Sequence, residues 1–201
     1  MKRILLAPLC AVALLAATAS CTSNGDSVDQ AQKTNEARNE NATASTEMGD
    51  LKQDKLDFDS EFMTKAASGG MLEVELGKVV ANKATTPEAK QVAEHMVADH
   101  TKANEELKTL ASQKGLTIPS SLGSDQRDVY DDVTDEKGLD MDKKYMEEME
   151  KDHQEDVQLF TEASVRATDP DIKAFATKTL PVLKEHLAMV TKMKPAVENR
   201  K

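Results

Sequence analysis

The residues of this chain that could do chemistry are four histidines and one acid in an unexpected place. His95 and His100 stand five apart in EHMVADHTKANEEL, and His153 and His186 lie in later helical stretches. A helix turns about 100° per residue, so His100 lies within about 40° of Ala89, Ala93, Met96, Leu107 and Ala111. His95 falls about 140° away, among Gln91, Lys102 and Glu106, on a face suited to water. The pair is therefore no pair, and its spacing also misses the i, i+4 geometry of an HExxH metalloprotease. His153 shares its stripe with Leu139, Met146, Met149, Val157 and Phe160, and His186 shares its own with Ile172, Phe175, Val182, Val190 and Met193. Three histidines thus occupy the inner stripes of three helices. The stripe of a fourth runs Phe62, Ala66, Gly69, Glu73, Leu76 and Val80, so that Glu73 interrupts an apolar face. Glu75 points the other way, toward solvent. A buried carboxylate requires a partner, a proton or a cation.

The four residues also match in height. Glu73 is 14 residues before Pro87 and His100 is 13 after it, while His153 is 17 before Pro170 and His186 is 16 after it. Within each pair of helices joined at those prolines, the two side chains are level. One Glu and three His suit one ion of Zn, Fe, Mn, Ni or Cu. Asp99, Glu150, Asp152, Asp156 and Glu185 lie beside the inward histidines and are expected to orient them as outer acceptors. The competing reading is a metal-free buried network of the same groups. A bis-histidine haem is disfavoured by the aromatic-poor core. Met63, Met71, Met96, Met141, Met146, Met149, Met189 and Met193 could suggest copper, but Met at helical spacing reads better as core filling.

The positioning elements read as helices throughout residues 57–196, with apolar residues at three- and four-residue spacing. A first helix is expected from Ser60 to Lys83. A second opens with Thr86 as N-cap, Pro87 and Glu88, and stops near Gly115. GLTIPSSLGS then leads to a short helix near 125–135. A third long helix covers Asp140 to Ala167. A fourth opens with Asp169-Pro170-Asp171 and runs to Lys194, with a kink expected at Pro181. TTPEAKQVA at 85–93 echoes ATDPDIKAFA at 167–176. Two helical hairpins joined by a longer connection make an all-α, antiparallel four-helix bundle with a short extra helix between helices 2 and 3. Ser68-Gly69-Gly70 falls inside the first helix and reads as a close-packing site rather than a phosphate loop.

The chain's start, MKRILLAPLCAVALLAATASC, has a secretory layout, and its apolar run is shorter than the roughly 20 residues a spanning helix needs. Thr18-Ala19-Ser20-Cys21 resembles a bacterial lipobox, which implies cleavage after residue 20 and a lipid on Cys21. The expected organisation is a lipoprotein signal at 1–20, a lipidated Cys and disordered polar tether at 21–56, the helical domain at 57–196 and a tail at 197–201. A coil of 34 residues would reach roughly 30 Å. With Cys10 in the signal and Cys21 acylated, no disulfide is available. The formal charge of -10 becomes -12 once Lys2 and Arg3 leave with the signal. That acidity, with few aromatics and no Trp, excludes nucleic acid as a partner.

FMTKAASGGMLEVELGK, MVADHTKAN, YMEEMEKDH and LPVLKEHLAMV resemble the domain-of-unknown-function family 4142, over residues 58–192. The resemblance implies a bacterial envelope protein with a ferritin-like fold, and no established activity. Ferritin-like di-iron proteins use Glu-x-x-His on two helices and a Glu on each of two others. Here only Glu150-Lys151-Asp152-His153 has that form; Val97 and Leu183 stand at the corresponding place elsewhere. A mononuclear His-rich site is therefore expected. The combined expectation is a lipid-anchored protein of the outer membrane, facing the periplasm, binding one transition metal in a redox or stress-protection role. The rival is a metal-free module that meets an envelope protein partner through its acidic surface.

Overall fold

The computed structural model describes residues 25–44 and 49–201, so the signal, the lipobox and Cys21 lie outside the described residues. Six helices follow one another: α1 (Ser27–Thr43), α2 (Gly49–Lys83), α3 (Pro87–Lys114), α4 (Ser124–Thr134), α5 (Leu139–Arg166) and α6 (Pro170–Glu198). No strand occurs among the described residues, and none of their helices is long and apolar enough to cross a membrane.

Local chemistry sets the ends of α3 and α6. The Thr86 side chain accepts from the Ala89 N–H at 3.3 Å, and Pro87 follows it. Gly115 ends α3 with a φ of 63°, a left-handed conformation that glycine adopts without strain, and the Leu116 N–H reaches back to the Ala111 carbonyl. Asp169 caps α6 by accepting from Asp171 and Ile172. α6 remains one helix through Pro181 and on past Pro195 to Glu198, further than Lys194. Both prolines lie on its exposed side, where water can take the carbonyl each leaves unbonded.

The two short turns make α2–α3 and α5–α6 hairpins, and the hairpins pack on each other through α3 against α6 and α2 against α5. Each hairpin secures the other's turn. Asp142, at the start of α5, accepts from the backbone N–H groups of Thr85 (2.9 Å) and Thr86 (2.7 Å) and from the Thr85 hydroxyl (2.9 Å). Asp59, in α2, accepts from Thr168 N–H (3.0 Å), the Thr168 hydroxyl (2.8 Å) and Asp169 N–H (2.8 Å). The equivalent positions (59 and 142, 85 and 168, 87 and 170) share one offset of 83 residues. The echo in the sequence is thus a structural duplication.

Two apolar clusters fill the interior. Around the α2–α3 turn and the C-terminal part of α6 lies a methionine-rich cluster with Met96, Met141, Met146 and Met149 buried beside Leu76, Val80 and Tyr145. At the opposite end Phe62, Phe160 and Phe175 pack ring to ring, with centroids 5.0 to 6.5 Å apart, against Leu107, Ile172 and Leu183. The methionines therefore serve as core, as their helical spacing suggests. Gly70 and Gly77 let α3 approach α2, because a Cβ at either would strike Asn104 or Val97.

One expectation is corrected. Residues 27–43 are not a disordered tether but the helix α1, packed on α2, and α2 itself starts at Gly49 rather than Ser60. The buried stripe of α1 is Ala31, Asn35, Asn39 and Thr43. Hydrogen bonds replace apolar burial there. Asn35 exchanges two bonds of 2.8 Å with the Thr117 backbone, and Asn39 donates to Asp57 at 2.8 Å and Ser60 at 3.2 Å. Asp26 caps α1 and also accepts from the Ser124 N–H at the start of α4.

Candidate metal centre

A polar layer separates the two apolar clusters. Glu73 and His153 are fully buried, His186 is 3 % exposed and His100 5 %. Each comes from a different long helix: Glu73 from α2, His100 from α3, His153 from α5 and His186 from α6. The three imidazole centroids stand 5.2 to 5.4 Å apart. His100 Nδ1 approaches Glu73 Oε2 to 2.5 Å, and His153 Nε2 approaches Glu73 Oε1 to 3.3 Å. Neither contact is aligned as a hydrogen bond, so both Glu73 oxygens, like His100 Nε2, lack a hydrogen-bond partner. The structure brings these four residues together, and this buried group could hold a metal ion.

The tautomers follow from the outer contacts. His153 Nδ1 is 3.0 Å from the Met149 carbonyl, which only accepts, so Nδ1 carries the proton. His186 Nε2 is 3.1 Å from Asp99 Oδ2. Partial burial alone would raise the Asp99 carboxyl, but His186 and Lys102 outweigh it and hold Asp99 below its ordinary value. Asp99 is therefore an acceptor, and His186 Nε2 donates. The atoms left over, His153 Nε2 and His186 Nδ1, face each other at 3.3 Å. Neutral imidazoles place lone pairs on both, and burial favours the neutral form. Burial lowers His153 well below its usual value, assisted by the neighbouring His100 and His186. Burial also lowers His186, and it takes His100 down to about 4 against the pull of Asp156 and Asp99.

The acids divide into two sets. Asp152 packs against Glu73 and His153. Burial, then the Glu73 charge, push Asp152 well above its usual range, and Glu73 is pushed well up by burial and by Asp156. Asp156 rises to about 8 through burial and Asp152. Glu150 and Glu185, by contrast, are not outer acceptors. Glu150 bonds Lys194 Nζ at 2.8 Å and the Thr191 hydroxyl at 3.0 Å, and Glu185 is exposed. His95 is exposed and turned back to the Gln91 carbonyl at 2.9 Å. The Tyr145 hydroxyl, buried without a partner and raised well above its ordinary value by burial, Glu73 and Asp152, went unnoticed in the sequence. Its place four residues before Met149, about 80° round the helix from His153, was the available signal.

The described residues thus form an all-helical domain with a buried cluster of three histidines and a glutamate. The chain matches the domain of unknown function DUF4142 over residues 40–193 and belongs to that family. The match takes in the end of α1, as well as the helices that carry the site. No curated protein matches the chain significantly. Among solved structures, the crystal structure of a DUF305 protein from Streptomyces coelicolor is similar, with a TM-score of 0.59 and 11 % identity, over 71 % of this chain and 96 % of that one. At that identity the likeness concerns the helical fold alone.

Proposed function

We propose that the four long helices form a ferritin-like bundle that binds one transition metal ion through Glu73, His100, His153 and His186, in a lipid-anchored protein of the bacterial envelope. The observation that carries the reading is the 3.3 Å approach of His153 Nε2 to His186 Nδ1, two nitrogens that the outer contacts leave as acceptors, beside a carboxylate that makes no aligned hydrogen bond. Two buried acceptors repel unless something positive lies between them. The donor set fits Zn, Fe, Mn, Ni or Cu. The Met149 carbonyl would fix the His153 ring, and Asp99 the His186 ring, as outer partners of metal-bound histidines do. The ion would supply Lewis acidity or a one-electron couple, consistent with a redox or stress-protection role. The lipobox-like stretch ending in Cys21 supports the lipid anchor, and we place that anchor in the outer membrane, facing the periplasm, as part of the proposal.

A second reading has its own observation. Burial and the neighbouring Asp156 raise Glu73 well above its usual range, which favours a proton on it that it could donate to His153, completing a metal-free network in an envelope interaction module. Purifying the domain without an affinity tag, reconstituting it with Zn, Fe, Mn, Ni and Cu, and counting bound metal by mass spectrometry separates the two. Stoichiometric metal that is lost in His100→Ala and His153→Ala supports the metal centre. Absence of stoichiometric metal after reconstitution leaves the proton network standing.

A further inference from the structure

A cleft of about 580 Å³ runs from solvent to the acidic flank of the histidine layer. Its mouth lies between α1 and the start of α4, with Asp29 and Asp125 among its walls, and its floor is formed by Ser68, Gly69, Asp152 and Asp156. Gly69 keeps the floor open: its missing side chain leaves Asp156 Oδ1 3.8 Å from where a Cβ would stand. Lys65 also lines the cleft, but its ammonium is engaged with Glu61 at 2.6 Å. None of the ion pairs among the described residues joins a lysine or arginine to Glu73, Asp152 or Asp156.

Acids alone would not make a site, but buried polar groups without partners converge on this one. The Ser68 hydroxyl, only 3 % exposed, lines the cleft and has no hydrogen-bond partner. Asp152 Oδ2 and both oxygens of the fully buried Glu73 share that condition. Asp152, Glu73 and His153 each offer a ligand atom within 4.8 Å of the others, and Asp156 lines the same cleft beside Gly69. A buried polar group of this kind is costly unless something satisfies it.

We propose that the floor of this cleft is a second cation site, in which Asp152, Asp156 and Glu73 hold a hard divalent ion beside the Ser68 hydroxyl. It rests on the metal reading of the histidine layer only in that Glu73 is shared by both positions. The donors here are all oxygen, the preference of Mn²⁺, Mg²⁺ and Ca²⁺, whereas the imidazole set behind them prefers softer ions. The site would therefore be asymmetric, with two ions of different chemistry on either side of one carboxylate. This differs from a pair of Glu-x-x-His motifs, because the outer position contains no histidine of its own.

The two positions can be read separately. The domain is stripped with chelator, loaded with Zn²⁺, and titrated with Mn²⁺ while free Mn²⁺ is followed by electron paramagnetic resonance and total metal by mass spectrometry. The expected result is one zinc and one manganese per chain. The Asp152→Asn/Asp156→Asn variant should weaken manganese at least 10-fold and weaken zinc by a clearly smaller factor, with zinc still stoichiometric. It removes mutually repelling buried acids without changing their shape, so folding is retained, and circular dichroism checks this. Asp131→Asn/Asp132→Asn, two exposed acids away from the cleft, should leave manganese unchanged. Equal manganese binding in the wild type and the Asp152/Asp156 variant would overturn the proposal. So would an equal loss in the Asp131/Asp132 control, which would mark diffuse surface binding. A wild type that takes manganese but no zinc would overturn the histidine site while the variants still decide the outer one.

Discussion

The α2–α3 and α5–α6 hairpins are built alike and equipped differently. Each opens its second helix with a cap followed by Pro, and each sends one aspartate across to hold the other's turn at the same 83-residue offset. Their contributions to the interior differ. The first hairpin supplies one acid and one histidine, Glu73 and His100. The second supplies His153, His186, Asp152 and Asp156. At the same offset Glu73 corresponds to Asp156, but His153 corresponds to Gly70 and Asp152 to Gly69. Where α5 presents an imidazole and a carboxylate, α2 presents no side chain at all, and that gap admits Asn104 of α3 and opens the cleft toward Asp156. Duplication thus accounts for the frame, while the asymmetry gathers the histidines and acids into one unsymmetrical cluster rather than two matching halves.

The shared frame gives the largest expected effect. Asp59→Ala and Asp142→Ala each remove a buried carboxylate that accepts two backbone N–H groups and a hydroxyl. Each should cost about 3 kcal/mol, the scale of charged hydrogen bonds lost with their donors left unpaired. The two values, from urea unfolding, should agree to within about 1 kcal/mol if the caps are equivalent. One variant near wild-type stability would break the equivalence of the hairpins.

The unshared equipment gives the next. His153→Ala removes the histidine that meets both Glu73 and His186, and should weaken zinc by more than the 10- to 100-fold typical of losing an outer partner. Asp99→Asn, which among the three buried histidines contacts only His186, should fall inside that range. Competition against a fluorescent chelator measures both. A larger loss from Asp99→Asn than from His153→Ala would reverse their roles.

A smaller effect follows from the acids of the second hairpin. Asp156 is raised to about 8, and Asp152 and Glu73 are raised with it, so these groups favour the metal-free fold below their folded values and lose that contribution as pH rises. The three buried histidines are lowered, so their effect lies on the acid side of pH 6.5 and does not oppose it above. With chelator present, the melting temperature should fall between pH 6.5 and 8. Asp156→Asn should flatten that fall, and a divalent ion should reverse it, because ligands must be deprotonated to bind. A melting temperature that rises across this interval in metal-free protein would contradict the placement of these acids.

Legibility in the sequence tracked how local each determinant was. Thr86-Pro87, Gly115 and Asp169-Pro170 act within one turn of chain, and their helix ends were readable. Glu73, His100, His153 and His186 were readable because an apolar stripe reveals a polar intruder. α1 was not, because its buried stripe is Asn35, Asn39 and Thr43, and the search for apolar periodicity passes over a helix held by amide hydrogen bonds. The i, i+4 spacing of those residues was the available signal. Glu150 and Glu185 misled for a related reason: adjacency along the chain is not adjacency in space. A neighbour on a helix points about 100° away, and Lys194 from α6 captured Glu150. Asp152 escapes that rule because α2 brings Glu73 to meet it.

The smallest expected effect tests the same rule within one helix. Glu94-His95 and Asp99-His100 have the same acid-histidine form five residues apart on α3. His95 is exposed and bonded only to the carbonyl one turn back, whereas His100 meets Glu73, His153 and His186. His95→Ala should change stability by less than about 0.5 kcal/mol, the usual scale for a surface substitution, and leave zinc affinity and stoichiometry unaltered. The measurement matters because histidine count alone would rank the two equally. If His95→Ala weakened zinc as much as His100→Ala, the ion would sit on the outer face of α3, and burial would no longer be what selects the ligands.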